Sequence, residues 1–332
     1  MEQDFPAYLV SRRGEGIEQR LGRLRLEDLP PGEVLVEVHW SAVNFKDGMV
    51  TQPGNRVARI SPLVPGVDLA GVVRHSDDAR FAPGQEVLVH GHDLGVAHHG
   101  GFAAYARVPA AWVVPLPDGL TTRQAMIIGT AGFTAALSLD ELERRGLRPG
   151  AGPVLVTGAS GGVGSQAVVL LAGRGYEVVA SSGKVAEHDW LRQLGASEVM
   201  GRDGLDADPK RTLAAERWAG AVDCVGGETL SRVLRTLRYG AAVAASGLTG
   251  GSELHTTVYP FIIRNVALLG VDSVETPDER RRQVWQRLGS DLRPPDFDAL
   301  VDREVTLDTV GTALADIAAA RIRGRVVVWV AG

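Results

Sequence analysis

A short apolar run leads straight into a glycine-rich turn near the middle of the chain: Val154-Leu155-Val156-Thr157-Gly158-Ala159-Ser160-Gly161-Gly162-Val163-Gly164. A buried strand must end there, the backbone must turn with few side chains in its way, and a helix must begin. That is the context of a dinucleotide-binding turn, where glycines let the main chain approach a pyrophosphate at a helix N-terminus. The strict G-x-G-x-x-G spacing is not met. Ala159 stands in the first position, with Gly161 and Gly164 in the second and third. The plainer alternative is a ligand-free glycine turn in an α/β domain.

The surroundings favour the dinucleotide reading. A helical stretch is predicted over about Thr122 to Arg145, ending at Gly146. Beyond it, strands and helices alternate. Val154–Val156, Glu177–Ala180, Ala221–Val225, Ala241–Ser246 and Ala267–Val271 read as strands, with helices over Ser165–Leu171 and Glu187–Leu194. Alternation of this kind means a parallel sheet with crossover helices. The residues also fit T-G-x-x-x-G-x-G, the pattern of short-chain dehydrogenases. Those proteins pair it with Tyr-x-x-x-Lys, and no tyrosine here has a lysine four residues later. That family is rejected.

The end of the second strand of the unit indicates the cofactor. NAD sites place Asp or Glu there, about 20 residues after the glycines, on the ribose hydroxyls. Here Ser181-Ser182-Gly183-Lys184 offers hydroxyls and a cation instead. A 2′-phosphate suits that set, so NADPH is expected, with Arg202 as a second cation.

The first 120 or so residues differ in character. Val34–Val38, Val67–Val73 and Glu86–Val89 are short β-branched runs, each opened by Pro-Gly turn residues. No long helical periodicity separates them, which suggests a mostly antiparallel barrel or sandwich. The tail Arg325–Val330 is a further strand that fits either half, and Asp291–Asp296 reads as a loop.

Composition excludes several classes. At 332 residues the chain suggests two domains. Its net charge of -5 argues against a nucleic-acid binder or a binder of anionic membranes. A single cysteine, Cys224, leaves no disulfide framework and no cysteine-rich metal lobe. The uncharged stretch Ala125–Leu139 is too short to span a bilayer. The N-terminus does not read as a secretory signal, so a soluble cytoplasmic protein is expected.

Several blocks carry a family resemblance. They are Val38-His39-Trp40-Ser41, Asn44-Phe45-Lys46-Asp47, Pro65 to Gly71, Met126 to Ala135, Thr157 to Gly164, Pro260 to Val266 and Gly270 to Val274. In this order the chain resembles the medium-chain dehydrogenase/reductase superfamily, its zinc-independent quinone-oxidoreductase branch, and within it the acrylyl-CoA reductase family. The resemblance implies a fold of class α/β plus β: a GroES-like β-barrel domain at 1–125 and a Rossmann domain, with a doubly wound parallel sheet, at 126–275. A C-terminal segment, 276–332, would return its last strand to the first domain. The implied cofactor residues are Ser160, Gly161, Gly162 and Val163 at the pyrophosphate, and Ser182, Gly183 and Lys184 at the 2′-phosphate. Arg202, Leu248, Ile262 and Ser273 would lie further along the cofactor and Thr130 near it. Asn44 and Phe45 would lie near the nicotinamide, and Arg325 at the mouth of the cleft. A homodimer is implied on the same ground.

No metal is expected. Zinc alcohol dehydrogenases of the superfamily carry Gly-His-Glu in the region of Gly66-Val67-Asp68, and Val67 cannot ligate a metal. His90, His92, His98 and His99 cluster, yet only Asp93 supports them, so they are expected in a loop lining the substrate cleft. Without a metal, an activated alkene is a better hydride acceptor than a bare ketone. The expected reaction is NADPH-dependent reduction of a short 2-enoyl thioester, acryloyl-CoA first, with Arg264 or Arg325 on the CoA phosphates. NADPH:quinone oxidoreduction and non-catalytic NADPH binding are the alternatives. Position 45 is commonly tyrosine in this branch. Phe45 has no proton to give, which leaves water, Lys46 or a histidine as the acid. Lys46 and Asp47 are also read as a structural ion pair.

Overall fold

The computed structural model describes residues 4–205 and 211–331. The chain divides into two compact units. One comprises 1–130, 274–289 and 301–332, and the other comprises 131–273 and 290–300. Ser290–Leu300 therefore separates from the rest of the C-terminal segment. It is tied into the second unit by the Trp190 indole N–H, which donates to the Ala299 carbonyl at 2.9 Å.

The first unit is β-rich. An antiparallel hairpin opens the chain, β1 (Phe5–Arg13) and β2 (Gly16–Leu24). Then come β3 (Val34–Val43), helix α1 (Phe45–Val50), β4 (Asp68–Ser76), β5 (Glu86–His90), β6 (Tyr105–Val108) and β7 (Val113–Pro115). The last two strands of the chain, β14 (Val301–Thr306) and β15 (Arg325–Trp329), join them. The sheet runs β14-β15-β3-β4-β5-β7, with β6 also on β3. One edge of β3 is shared by two partners. Val34–Glu37 pairs with β6, and Trp40–Val43 pairs with β15. On the other edge, β4 crosses β3 so closely that a Cβ on Gly71 would meet the Glu37 carbonyl oxygen at 1.9 Å. Only glycine fits there. Val34, Val36 and Val38 alternate into an aliphatic core with Leu69, Val87 and Val328. Helices α7 (Asp278–Gly289) and α8 (Val310–Ala318) complete the unit.

The second unit is a six-stranded parallel sheet, formed by β8 (Val154–Thr157), β9 (Val178–Ser181), β10 (Glu198–Met200), β11 (Gly220–Asp223), β12 (Ala242–Ala245) and β13 (Ala267–Gly270). Its order is β10-β9-β8-β11-β12-β13, the reversal at β8/β11 that marks a doubly wound fold. Its helices are α3 (Gly162–Gly173), α4 (His188–Gln193), α5 (Gly227–Thr236) and α6 (Tyr259–Arg264). Strands β8, β9 and β11 are buried along their whole length, which is why each reads as an apolar run up to one polar last residue.

Helix α2 (Thr122–Arg144) bears the boundary between the units at Thr130/Ala131. Thr121 and Gln124 close a capping box at its start, each side chain accepting the other's backbone N–H. Gly146, at φ 107, ends it, with Leu147 N–H returning to the Leu142 carbonyl. The helix is long and apolar enough to cross a membrane, but 83% of its most apolar window is buried inside the protein. It is also broken at Gly129, whose φ of 52° and ψ of -161° are not helical.

Candidate functional site

Two groups of residues carry chemistry, one on each unit. On the second unit, the glycine turn between β8 and α3 forms as expected. Gly158 takes a positive φ of 60°. A Cβ on Gly164 would lie 2.4 Å from the Gly158 carbonyl oxygen, so α3 packs against its own strand only with glycine there. Gly161 caps α3 and Gly162 begins it. The N–H groups of that first turn have no acceptor within the helix, which suits an anion. Ser160 is buried beside the turn, and Val163 is half-buried.

The end of β9 meets this turn. The Ser160 and Ser182 hydroxyls are 2.9 Å apart. The Lys184 backbone N–H donates to the Ser182 hydroxyl at 3.1 Å, and the His188 ring contacts the Ser182 carbonyl at 3.1 Å. A Cβ on Gly183 would lie 2.7 Å from Nε of Arg202, so the guanidinium lies flat against the glycine. Ser160, Ser182, Gly183, Lys184 and Arg202 thus converge from three segments, the turn after β8, the end of β9 and the end of β10. Two hydroxyls, two cations and a side-chain-free floor match the donor set of a dianionic phosphate monoester.

One anchor of this turn is absent from the sequence reading. Asp223, at the end of β11, accepts the Thr157 hydroxyl at 2.6 Å and the Gly226 N–H at 2.7 Å. Burial raises its pKa against these donors. Its signal in the sequence is an acid closing an otherwise apolar strand. Leu248 and Ile262 are exposed, on the loop after β12 and on α6. Ser273 is half-buried just past β13.

On the first unit, Asn44, Asp68, Thr130 and Arg325 form a buried network. Arg325 and Asp68 are 3.4 Å apart with side-chain exposures of 2% and 0%. The Asn44 side-chain amide donates to Asp68 at 2.8 Å, and its oxygen accepts from Arg325 at 3.0 Å. Thr130 donates to Asp68 through its N–H at 3.0 Å and through its hydroxyl. Arg325 also donates to the Ile127 carbonyl at 3.1 Å. Burial lowers the pKa of Arg325, while Asp68 and Asp47 raise it.

This corrects two expectations. Arg325 is not an open cation at a cleft mouth; its guanidinium is enclosed by four residues of its own unit. Arg264 is also committed. It donates to the Arg235 carbonyl at 2.8 Å and to Ala214, so it is not available to CoA phosphates. The network bears on zinc as well. Val67 offers no donor, and both oxygens of Asp68 are held by Asn44, Thr130 and Arg325. The donors present therefore do not fit a zinc ion.

The Asn44–Asp47 segment starts α1. Asp47 is buried and accepts three backbone N–H groups, from Asn44 at 2.8 Å, Gly66 at 2.9 Å and Val67 at 3.1 Å. Burial and the Asp68 charge outweigh these donors and push its pKa up to about 7. Asp47 is thus structural, though not through Lys46, which is exposed and has no ion pair among the described residues. Phe45 is 43% exposed at the first helical position.

The histidines also depart from expectation. His90 closes β5 with its ring buried and accepts the Trp285 indole N–H at 2.8 Å, so it belongs to the core and not to a loop surface. His92 stacks on Trp112 at 5.1 Å, and His98 meets the same ring edge-on. Burial pushes His92 and His99 down to about 4, so both are neutral at pH 7. Among the described residues no group of three or more potential ligands gathers.

Comparisons with known proteins agree with this arrangement. Residues 30–118 match the alcohol dehydrogenase GroES-like domain, and residues 162–290 match the domain described as zinc-binding dehydrogenase. The acrylyl-CoA reductase AcuI of Ruegeria pomeroyi is 50% identical over 326 residues, 98% of each chain. The YhdH oxidoreductase of Salmonella enterica, solved with NADP, is 46% identical, with a TM-score of 0.94 over 98% of this chain and 99% of that one. Bacillus subtilis YhfP, solved with NAD, is 48% identical, with a TM-score of 0.96 over 98% and 99%; it carries a quinone oxidoreductase name. Identity at this level across nearly the whole length, together with the β-rich unit, the doubly wound sheet and the glycine turn, places the chain in the medium-chain dehydrogenase/reductase superfamily, beside AcuI and YhfP.

Proposed function

We propose that this protein is an NADPH-dependent reductase of the C=C bond of a short 2-enoyl thioester such as acryloyl-CoA, working without a metal. The observation that carries the cofactor is the convergence of Ser160, Ser182, Gly183, Lys184 and Arg202 where an NAD site keeps a carboxylate. The substrate class rests on the whole-length identity with acrylyl-CoA reductase AcuI.

NADPH, when bound, supplies a hydride for the β-carbon of the acyl group. The remaining chemistry falls to the chain. The α3 N-terminus and the β9 end hold the two phosphate positions and so fix where the cofactor lies. As hydride adds, charge moves to the thioester oxygen, where hydrogen-bond donors must meet it. Phe45 stands exposed at the start of α1 and donates nothing, and His92 and His99 carry no imidazolium proton at neutral pH. That leaves water or Lys46 to supply the α-proton.

The test is NADPH oxidation with acryloyl-CoA, crotonyl-CoA and a simple quinone in parallel. Turnover with acryloyl-CoA is expected. Turnover with quinone alone would move the protein to the second reading, which the name of YhfP favours. Tight NADPH binding without turnover on any of the three would leave a binding protein.

A homodimer belongs to the same proposal. Strand β13 is an edge of its sheet, and Leu268, Ile262 and Ile263 are exposed on it and on the preceding helix. An unpaired edge with apolar neighbours is a natural surface for a second copy. Its setting would be the cytoplasm.

A further inference from the structure

The correction at Arg264 and Arg325 leaves the phosphates of a CoA substrate without a partner. We propose that Lys46 and Arg56, on the α1 segment of the first unit, take that place and make this protein a reader of the CoA nucleotide; this rests on the enoyl-thioester reading above.

The segment is built to hold charge outward. Its own small core, Val50, Ala58 and Leu63 with Val57 and Ile60 against them, fixes it from beneath. Asn55 locks the turn. Its amide donates to the Val50 carbonyl at 3.1 Å and to Gln52 at 2.8 Å, while its oxygen accepts the N–H groups of Val57 at 3.2 Å and Ala58 at 3.0 Å. Arg56 is the residue between these anchored neighbours. It is exposed and has no carboxylate partner among the described residues, although its backbone is held on both sides.

Lys46 lies on the first turn of helix α1, likewise exposed and without a carboxylate partner among the described residues. Four residues of helix, about 6 Å, separate it from Val50, to which Asn55 is bonded. The two cations therefore belong to one short rigid stretch. Several other cations of the unit carry carboxylate partners: Arg13 with Glu18, Arg59 with Asp93, Arg74 with Glu37, Arg80 with Asp78 and Arg303 with Asp316. An ordered cation left without a counter-charge is suited to an anion that arrives from solution. The stretch also begins directly at Phe45, the exposed aromatic that follows the buried Asn44. CoA carries a pyrophosphate and a 3′-phosphate on one adenosine. A quinone carries neither, and a pantetheine thioester has the acyl arm without the nucleotide.

The experiment compares acryloyl-CoA with S-acryloyl-pantetheine in the wild-type protein, Lys46→Gln, Arg56→Gln and the double variant, at low and moderate salt. The double variant is expected to raise KM for acryloyl-CoA about tenfold, with KM for the pantetheine ester and for NADPH held. The salt dependence of the acryloyl-CoA KM should shrink with it. Binding of CoA alone, followed by calorimetry, reads the same contact without turnover and should weaken to the same extent. Equal effects on both esters, a raised KM for NADPH, or CoA binding unchanged in the double variant would each overturn the assignment. A fall in kcat with both esters would move Lys46 to proton delivery and also overturn it. Absence of thioester turnover by the wild type, with CoA binding intact and sensitive to Arg56, would overturn the reaction instead.

Discussion

Asp68 and Arg325 meet across the break in helix α2, each completing one broken end. Gly129 interrupts the helical hydrogen bonds. Arg325 Nε–H takes up the Ile127 carbonyl on one side, and Asp68 takes the Thr130 N–H on the other. A carboxylate thus faces the N-terminal end of the second half, where helix N–H groups favour negative charge. A Cβ on Gly129 would lie 2.4 Å from Asp68 Oδ2, so the pair and the glycine require each other.

Removing one partner should cost far more than removing both. Arg325→Met leaves Asp68 buried and uncompensated, a loss of about 3–5 kcal/mol. Asp68→Asn with Arg325→Met should recover a substantial part of it. Denaturant unfolding of the two single variants and the double variant measures the coupling. Simple additivity would show that the pair does not act as one unit.

Cofactor preference should shift at the β9 end. Arg202→Ala and Lys184→Ala should each raise KM for NADPH about tenfold and leave KM for NADH near its starting value, since only the former carries a 2′-phosphate. Steady-state kinetics with both cofactors reads this directly. An unchanged ratio would show that the 2′-phosphate is held elsewhere.

Acid should destabilise the protein through its buried histidines. Burial lowers His99 to about 4 in the folded state, whereas an unfolded histidine titrates near about 6.5. The unfolded state therefore binds protons more strongly between these values. The stabilisation is complete above about pH 6.5 and is lost as pH falls toward 4. His99 accepts the Val64 N–H through Nδ1, so His99→Asn keeps an acceptor but removes the titration. Between pH 7 and pH 4.5 the variant should lose less unfolding free energy than the wild type, by about 1 kcal/mol after allowance for partial exposure. Parallel pH slopes would assign the acid response to other groups.

The apolar edge gives a prediction about assembly. Leu268→Arg, with or without Ile262→Glu, should yield a monomer with an intact fold, seen by light scattering and circular dichroism. A wild-type protein that is already monomeric at micromolar concentration would remove the dimer.

Legibility in the sequence followed burial. The parallel strands of the second unit are wholly buried, so β8, β9 and β11 stand out as apolar runs. The glycine turn was readable because close backbone approach excludes other residues at Gly164. Strands β2 and β14 were not readable. Gly16–Leu24 is largely exposed and Val301–Thr306 carries three charged residues, so neither shows an apolar alternation. The network of the first unit was hidden for another reason. Asp68 and Arg325 lie 257 positions apart, and local pattern cannot show that an arginine at a strand start is buried by a distant acid. Arg325 therefore looked like a surface cation.

The placement of β15 has a consequence for biosynthesis. The strand is the neighbour of β3 within the sheet of the first unit and carries Arg325. A ribosome delivers β3 long before β15. All six strands of the second unit's sheet emerge before residue 271, so that sheet can form while the first unit still lacks a central strand and the counter-charge for Asp68. The nascent chain holds an unfinished β-sheet in its first unit until β15 clears the exit tunnel, which sets the period in which it needs protection from aggregation.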